Sequence, residues 1–330
     1  MIKKLLPAAA LLVAVGAVHA EAELSVYGLV DVSYGKNMAD DANGTDPRWH
    51  SGGDDGGDGG GGQGNSTTRF GIKGGLDVGN GLRANFNLES AEIDHKLRLG
   101  HNSKTLFARQ AWGGLSGGFG EVRFGRQDSV PFQAMGVYDF NGQANTVSAL
   151  ANAGVASWGR GRQTQSLQYI LPTVNGFKAH LGVAAKEDGV DDAKAASSGA
   201  LTYAAGKFSV SVAAESRRTH GGENFTGIAG SYDFGFVKVM SGYSKGFYGT
   251  KGKGPSVGFV APVAGFNVGM HYGKNNETKV DATEFFVNRE IFKNTYAYLD
   301  YGHLDNHNAP SNKAYALGVI YVFDLAILGH

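Results

Sequence analysis

The sequence predicts an all-β protein: a transmembrane barrel of sixteen antiparallel strands, with short periplasmic turns and long external loops. Three observations carry that prediction. Near the carboxyl end, Tyr315, Leu317, Val319, Tyr321 and Phe323 place a bulky apolar side chain at every second position. Small residues, Ala314, Ala316 and Gly318, stand between them, which is the period of a strand with one face in apolar surroundings. The same alternation recurs along the chain behind an export-type leader, and the connections alternate between tight and long. Short turns on one side and long loops on the other are what an outer-membrane barrel shows, whereas a soluble sandwich has no reason for that asymmetry.

Composition narrows the choice. A chain of 330 residues exceeds a typical domain, but barrels of this size run as one unit. Hydrophobic content is 42%, and beyond the amino terminus no stretch supplies the roughly 20 apolar residues of a spanning helix. A barrel hides its membrane face in such an average because lipid-facing and water-facing residues alternate. Formal net charge is zero with 18% charged residues, which leaves no nucleic-acid footprint. The absence of cysteine excludes disulfides and thiolate metal sites and fits export through an oxidising periplasm. Lys3 and Lys4 precede an apolar run at 5–18, and Val18, His19 and Ala20 offer a cleavage site before Glu21. The expected division is a signal peptide at 1–20, a barrel at 21–323 and an extension past the closing strand at 324–330.

The first strand is read from Leu24, Val26, Val30 and Val32 alternating with Ser25, Tyr27, Asp31 and Ser33. Residues 36–65 follow, with 52–64 almost wholly Gly, Asp and Gln, a composition that cannot bury a core. The aspartates of this loop, Asp40, Asp41, Asp46, Asp54, Asp55 and Asp58, lack the spacing of a calcium-binding EF-hand, so a solvated acidic loop is expected. Phe70 and Ile72 resume the alternation with Arg69, Gly71 and Lys73. Leu82, Ala84, Phe86 and Leu88 continue it against Arg83, Asn85, Asn87 and Glu89. Further strands are expected at 105–113, 119–126, 163–171, 176–185, 199–205, 207–215, 224–232, 236–244, 254–261, 265–272, 280–289, 294–302 and 313–323. Trp112, Tyr243, Tyr272 and Tyr301 near strand ends are expected as membrane-interface aromatics.

One long loop, 127–162, is unusually apolar: Val130, Phe132, Met135, Tyr138, Leu150 and Trp158 are too greasy for a floppy external tract. Folded inward it would narrow a wide watery lumen; packed outward it would cover a subunit interface.

Several runs then resemble one family. They are the segment from Arg69 to Gly74 (RFGIKG), the run from Arg109 to Gln127 (RQAWGGLSGGFGEVRFGRQ), Ser166 to Tyr169 (SLQY), and the alternating end at Phe323. They are similar, in order and over essentially the whole mature chain, to the general trimeric porins of Gram-negative outer membranes, beta-proteobacterial branch. The resemblance implies a sixteen-stranded barrel, a homotrimer in outer-membrane lipid and lipopolysaccharide, a third loop folded into the lumen, and passive diffusion of ions and small hydrophilic solutes. It implies no reaction and no cofactor.

By position in the matching motifs, Arg69 and Arg109 correspond to constriction arginines of the barrel wall, and either Arg160 or Arg162 to a third. Asp128 and Asp139 are the acids available to face them from the loop. Lys73, Arg83, Arg123 and Lys178 share lumen-facing parity. Arg126 is expected at a subunit contact with Glu92 or Asp94, and Tyr315, Tyr321 and Phe323 resemble the terminal signal of barrel assembly. Fixed guanidinium groups in a narrow aqueous path raise the local anion concentration, so an anion-preferring pore is expected. The alternative is a substrate-specific channel, in which Tyr27, Phe132 and Tyr138 would contribute an aromatic path. Arginines merely paired with Glu89, Glu121 or Asp31 would stiffen the wall instead. Two other signals are weak. Gly242 to Gly246 matches the nucleophile-elbow pattern around Ser244 but falls where a strand enters a loop. His303, Asp305 and His307 lie in a polar loop without the supporting shell a metal site requires.

Overall fold

In the computed structural model, which describes residues 22–42, 44, 46–50, 65–90, 93, 105–144 and 147–328, a single antiparallel sheet closes on itself. Its strands are β1 (Ala22–Lys36), a short β2 (Arg48–His50), β3 (Arg69–Gly79), β4 (Leu82–Glu89), β5 (Gln110–Gly117), β6 (Gly120–Asp128), β7 (Arg162–Ile170) and β8 (Phe177–Ala184). The far half comprises β9 (Ala196–Ala205), β10 (Phe208–Glu215), β11 (Phe225–Asp233), β12 (Lys238–Lys245), β13 (Lys253–Val263), β14 (Phe266–Asn275), β15 (Val280–Phe292), β16 (Thr295–Asn306) and β17 (Asn312–Leu328). Sixteen of these form the wall, β1 and β3 to β17, each paired with its sequence neighbours; β2 only adds to the edge of β1 inside the first long loop. Pairing of β1 with β17 closes the ring and leaves no wall edge to template aggregation.

Alternation sets the two faces. On β1, Val30, Val32 and Tyr34 are exposed outward while Asp31, Ser33 and Gly35 are buried inward. On β17, Tyr315, Leu317, Val319 and Tyr321 point out. So large an apolar belt would aggregate in water; in a bilayer it is the solvated face. Trp112 departs from the interface-aromatic expectation. It sits inside the lumen, under the Arg123 guanidinium at 4.3 Å, because Gln110 and Trp112 have inward parity on β5.

The closing strand does not stop at Phe323. Asp324 to Leu328 continue its pairing with Leu24 to Tyr27 of β1, and Asp324 meets Lys73 at 2.6 Å. Phe323 stacks on Tyr321 with centroids 6.2 Å apart.

The apolar loop between β6 and β7 folds into the lumen. Ser129 caps a short helix, Val130–Met135, by accepting the Phe132 N–H, with Pro131 in its first turn where a missing N–H costs nothing. A second helix, Ala149–Asn152, is capped by Ser148. Val130, Met135, Tyr138, Leu150 and Trp158 bury themselves against Ala200, Ala213, Phe225, Ala229 and Met240 of the wall. Small wall residues therefore mark the loop's footprint.

Candidate functional site

Beneath that loop lies a cavity of about 510 Å³. One side is barrel wall, carrying Arg69, Glu89, Arg109, Asp128 and Arg162; the loop supplies Phe132, Gln143, Ser148 and Asn152 opposite. Period two turns Arg69 and Glu89 inward on β3 and β4, and Arg109 enters just before β5.

The charges interleave. Glu89 lies between two guanidinium groups, 2.7 Å from Arg109 Nε and 3.5 Å from Arg69 Nε. Tyr27 donates its hydroxyl to Asn87 at 2.7 Å and rests 3.1 Å from the same Glu89 carboxylate. Arg69 also donates to the Thr67 carbonyl at 2.7 Å. Arg162 Nε is 3.3 Å from Asp128 Oδ1. Three guanidinium groups against two carboxylates leave one net positive charge, and no acid is contributed by the described loop residues that line the cavity.

Several expected positions are corrected. Asp139 does not face the arginines: it is 4% exposed and turned behind the loop, accepting the Asn141 N–H at 3.0 Å. The sequence placed it near mid-loop, but the short 3-10 turn Gly136–Tyr138 rotates it toward the wall. Asp128 belongs to the wall, at the end of β6, on the same side as the arginines. Arg162 lines the cavity, whereas Arg160 lines a smaller pocket beside it with Arg217 and Arg218. Tyr138 is fully buried, its hydroxyl held by Ser209 and Ser211 at 2.9 and 3.0 Å, so it forms no aromatic path.

The remaining lumen charges are mostly cancelled. Arg83 pairs with Glu23 at 2.7 Å, Arg123 with Glu121 at 2.7 Å and Lys73 with Asp324. Lys178 shares the inward face of His180 on β8. Arg126 donates to the Ala108 carbonyl, and its expected partners Glu92 and Asp94 lie outside the described residues. Ser244 sits within β12, its hydroxyl donating to the Val155 carbonyl at 2.6 Å, which is a loop anchor and no nucleophile elbow.

The sequence missed what holds the loop. His271 and Glu284 are directly opposed on β14 and β15, and Glu284 accepts the Ala149 N–H at the start of the second helix. His271 Nε2 accepts the Phe140 N–H at 3.2 Å, which puts the ring proton on Nδ1, 3.0 Å from Glu284. Ligand-type atoms of Asp139, His271 and Glu284 lie within 4.8 Å of one another. With Nε2 accepting the Phe140 N–H and Nδ1 facing Glu284, these residues form a hydrogen-bonded anchor. Asp300 extends it, accepting from Asn65 at 2.5 Å and from Asn141 at 3.3 Å, and Asn275 donates to the Ala153 carbonyl at 2.8 Å. Gly258 is required beside them, because a Cβ there would strike the His271 ring.

A closed barrel with an inward loop over a charged eyelet invites comparison with known proteins, and the family model described as Gram-negative porin matches residues 8–309. The chain belongs to the Gram-negative porins. Outer membrane porin protein 32 of Delftia acidovorans is 29% identical over 348 residues, covering 96% of this chain and 93% of that one. An outer membrane porin protein of Bordetella pertussis is 30% identical over 281 residues, covering 76% of this chain and 72% of that one. Among solved structures, the anion-selective porin from Comamonas acidovorans superposes with a TM-score of 0.70 at 23% identity, covering 92% of this chain and all of that one. Salmonella typhi OmpF gives 0.67 at 14% identity, covering 92% and 97%. This porin is thus an outer-membrane protein whose barrel lumen is a diffusion channel.

Proposed function

We propose that this porin forms a homotrimeric, non-specific channel that prefers small hydrophilic anions, and that Arg69, Arg109 and Arg162 set the preference. The observation that carries the reading is the charge count at the eyelet. Guanidinium stays protonated at ordinary pH, and the facing loop adds no counter-charge among the described lining residues. A net charge of one, about 8 Å from a permeating ion in water, is worth about 0.5 kcal/mol for each sign of ion. At low salt, chloride should therefore pass about fivefold better than potassium. The name of the Comamonas relative, anion-selective, agrees with that reading, and OmpT, a Vibrio cholerae outer membrane protein of the same fold, has a trimer form. Arg126 is assigned to the subunit contact, with lipid and lipopolysaccharide around the apolar belt.

Proteoliposomes are expected to admit glucose without saturation and gluconate faster than the similarly sized cation glucosamine. Faster glucosamine entry would contradict the anion preference, and saturable glucose entry would favour a substrate-specific channel.

We further infer that Tyr315, Tyr321 and Phe323 carry the assembly signal and that the residues beyond are dispensable. The Lys73–Asp324 pair is about half exposed at both ends, where such pairs contribute at most about 1 kcal/mol, and β1 retains β3 as a partner along this stretch. A chain ending at Phe323 is expected to give an unchanged yield of folded trimer in outer-membrane fractions. A severalfold loss would show that the extension takes part in assembly.

A further inference from the structure

Tyr248 stands at the threshold of the eyelet in a backbone conformation that side chains rarely adopt. Its φ is 51° and ψ 26°, inside the turn Phe247–Gly249; for a bulky residue that conformation is costly unless the surroundings impose it. Tyr248 is nevertheless 54% exposed, so burial does not explain the residue. Behind it is a built shelf: Tyr248 meets Phe247 edge to face at 4.7 Å and 76°, and Phe247 meets the loop residue Trp158 at 5.9 Å and 87°. Phe247 and Trp158 are buried and fixed.

Tyr248 borders two spaces at once. One is the eyelet cavity with Arg69, Arg109 and Arg162; the other is a smaller pocket beside it, where Arg160, Arg217 and Arg218 stand with Glu215 and Glu223. Its hydroxyl lies 3.7 Å from where a Cβ would stand on Gly161, the residue between Arg160 and Arg162. Arg218 is held by Glu215 at 2.7 Å, whereas Arg160 has no carboxylate partner among the described residues. Phe132 adds a second ring at the eyelet, on the loop side.

We propose that Tyr248 and the Arg160–Arg162 edge form a subsite for aromatic carboxylates, the benzoate class, at the entrance of the constriction. A guanidinium group takes the carboxylate as a planar fork, while the ligand ring packs on the Tyr248 ring at the offset or edge-on geometry aromatic pairs prefer. A saturated carboxylate of the same charge satisfies the first contact and loses the second. The proposal rests on the anion-preferring reading and narrows it to a solute class.

The test is chloride current through single trimers in planar bilayers, titrated with benzoate and, separately, with cyclohexanecarboxylate. Wild type is expected to reach half-block at about three- to tenfold lower benzoate, the span of an aromatic pair's contribution. Tyr248→Phe should keep that ratio, and Tyr248→Gly, which the positive φ accommodates, should bring it to one. Should the glycine variant fold poorly by heat-modifiable mobility, Tyr248→Asn tolerates the same backbone and should give the same result. Each ratio is taken within one variant, so a change in conductance does not alter it. A wild-type ratio near one, or a ratio retained without the ring, overturns the subsite. Chloride preference over potassium is measured separately, so its failure would fall on the anion reading and not on the aromatic one.

Discussion

Replacing Arg109 and Arg162 together by glutamine is expected to convert the channel from anion-preferring to weakly cation-preferring. The wall would keep Arg69, Glu89 and Asp128, so one net positive charge becomes one net negative charge at the cavity under the loop. By the same Coulomb figure, two charges removed near the axis change the chloride-to-potassium discrimination by about 2 kcal/mol without salt. Screening over about 10 Å at 0.1 M salt reduces this to about fivefold in permeability ratio. Glutamine keeps hydrogen-bonding capacity beside Glu89 and Asp128, so the variant tests charge more than packing. Permeability ratios from bilayers at 0.1 M and 1 M KCl check it, with the smaller change at high salt. Persistent anion preference would move the origin of the field elsewhere, with Lys178 the first candidate.

Glu284→Ala is expected to loosen the inward loop while the barrel stays closed. The substitution leaves the Ala149 N–H and the His271 Nδ1–H buried without an acceptor. Orphaning buried donors of this kind costs about 2–4 kcal/mol. The wall is held by the ladder between neighbouring strands, which this side chain does not join. Exchange of the Phe140 and Ala149 amides should therefore accelerate by about 30- to 1000-fold, the equivalent of that energy. Single-channel current should become noisy as the loop samples the lumen. Unchanged exchange and a quiet open level would show that the other anchors, Tyr138 to Ser209 and Ser211 and Asn141 to Asp300, hold the loop alone.

How much of this was legible in the sequence depended on how far each feature is local. Strand alternation is local, so the inward parity of Arg69, Lys73, Arg83, Arg123 and Lys178 could be read residue by residue, whereas Arg109 is out of phase with Gln110 and Trp112 and reaches the cavity from just before β5. The same rule would have placed Trp112 in the lumen, where only its closeness to a strand end pointed to the bilayer. Asp139 was out of reach, because its direction is decided by the 3-10 turn before it and by wall residues more than a hundred positions away. His271 and Glu284 needed the β14–β15 register to be seen as opposed partners, and that register follows from the connection at 276–279 between the two strands. The run of Ser209, Ser211, Ala213, Ala229 and Ser244 at inward positions was visible in the sequence: small and hydroxylated residues on the inner face of a wide barrel leave room for something to pack there. Tyr248 gave no sequence signal, since its left-handed backbone appears only in three dimensions.

The central claim is that one uncancelled positive charge, carried by Arg69, Arg109 and Arg162 against Glu89 and Asp128, governs which ions pass. The zero-current potential of the wild-type channel across a tenfold KCl gradient tests it most directly. A potential of the sign set by chloride, corresponding to about fivefold chloride over potassium and shrinking as salt is raised, is the expected result. A potential of the sign set by potassium would contradict the account.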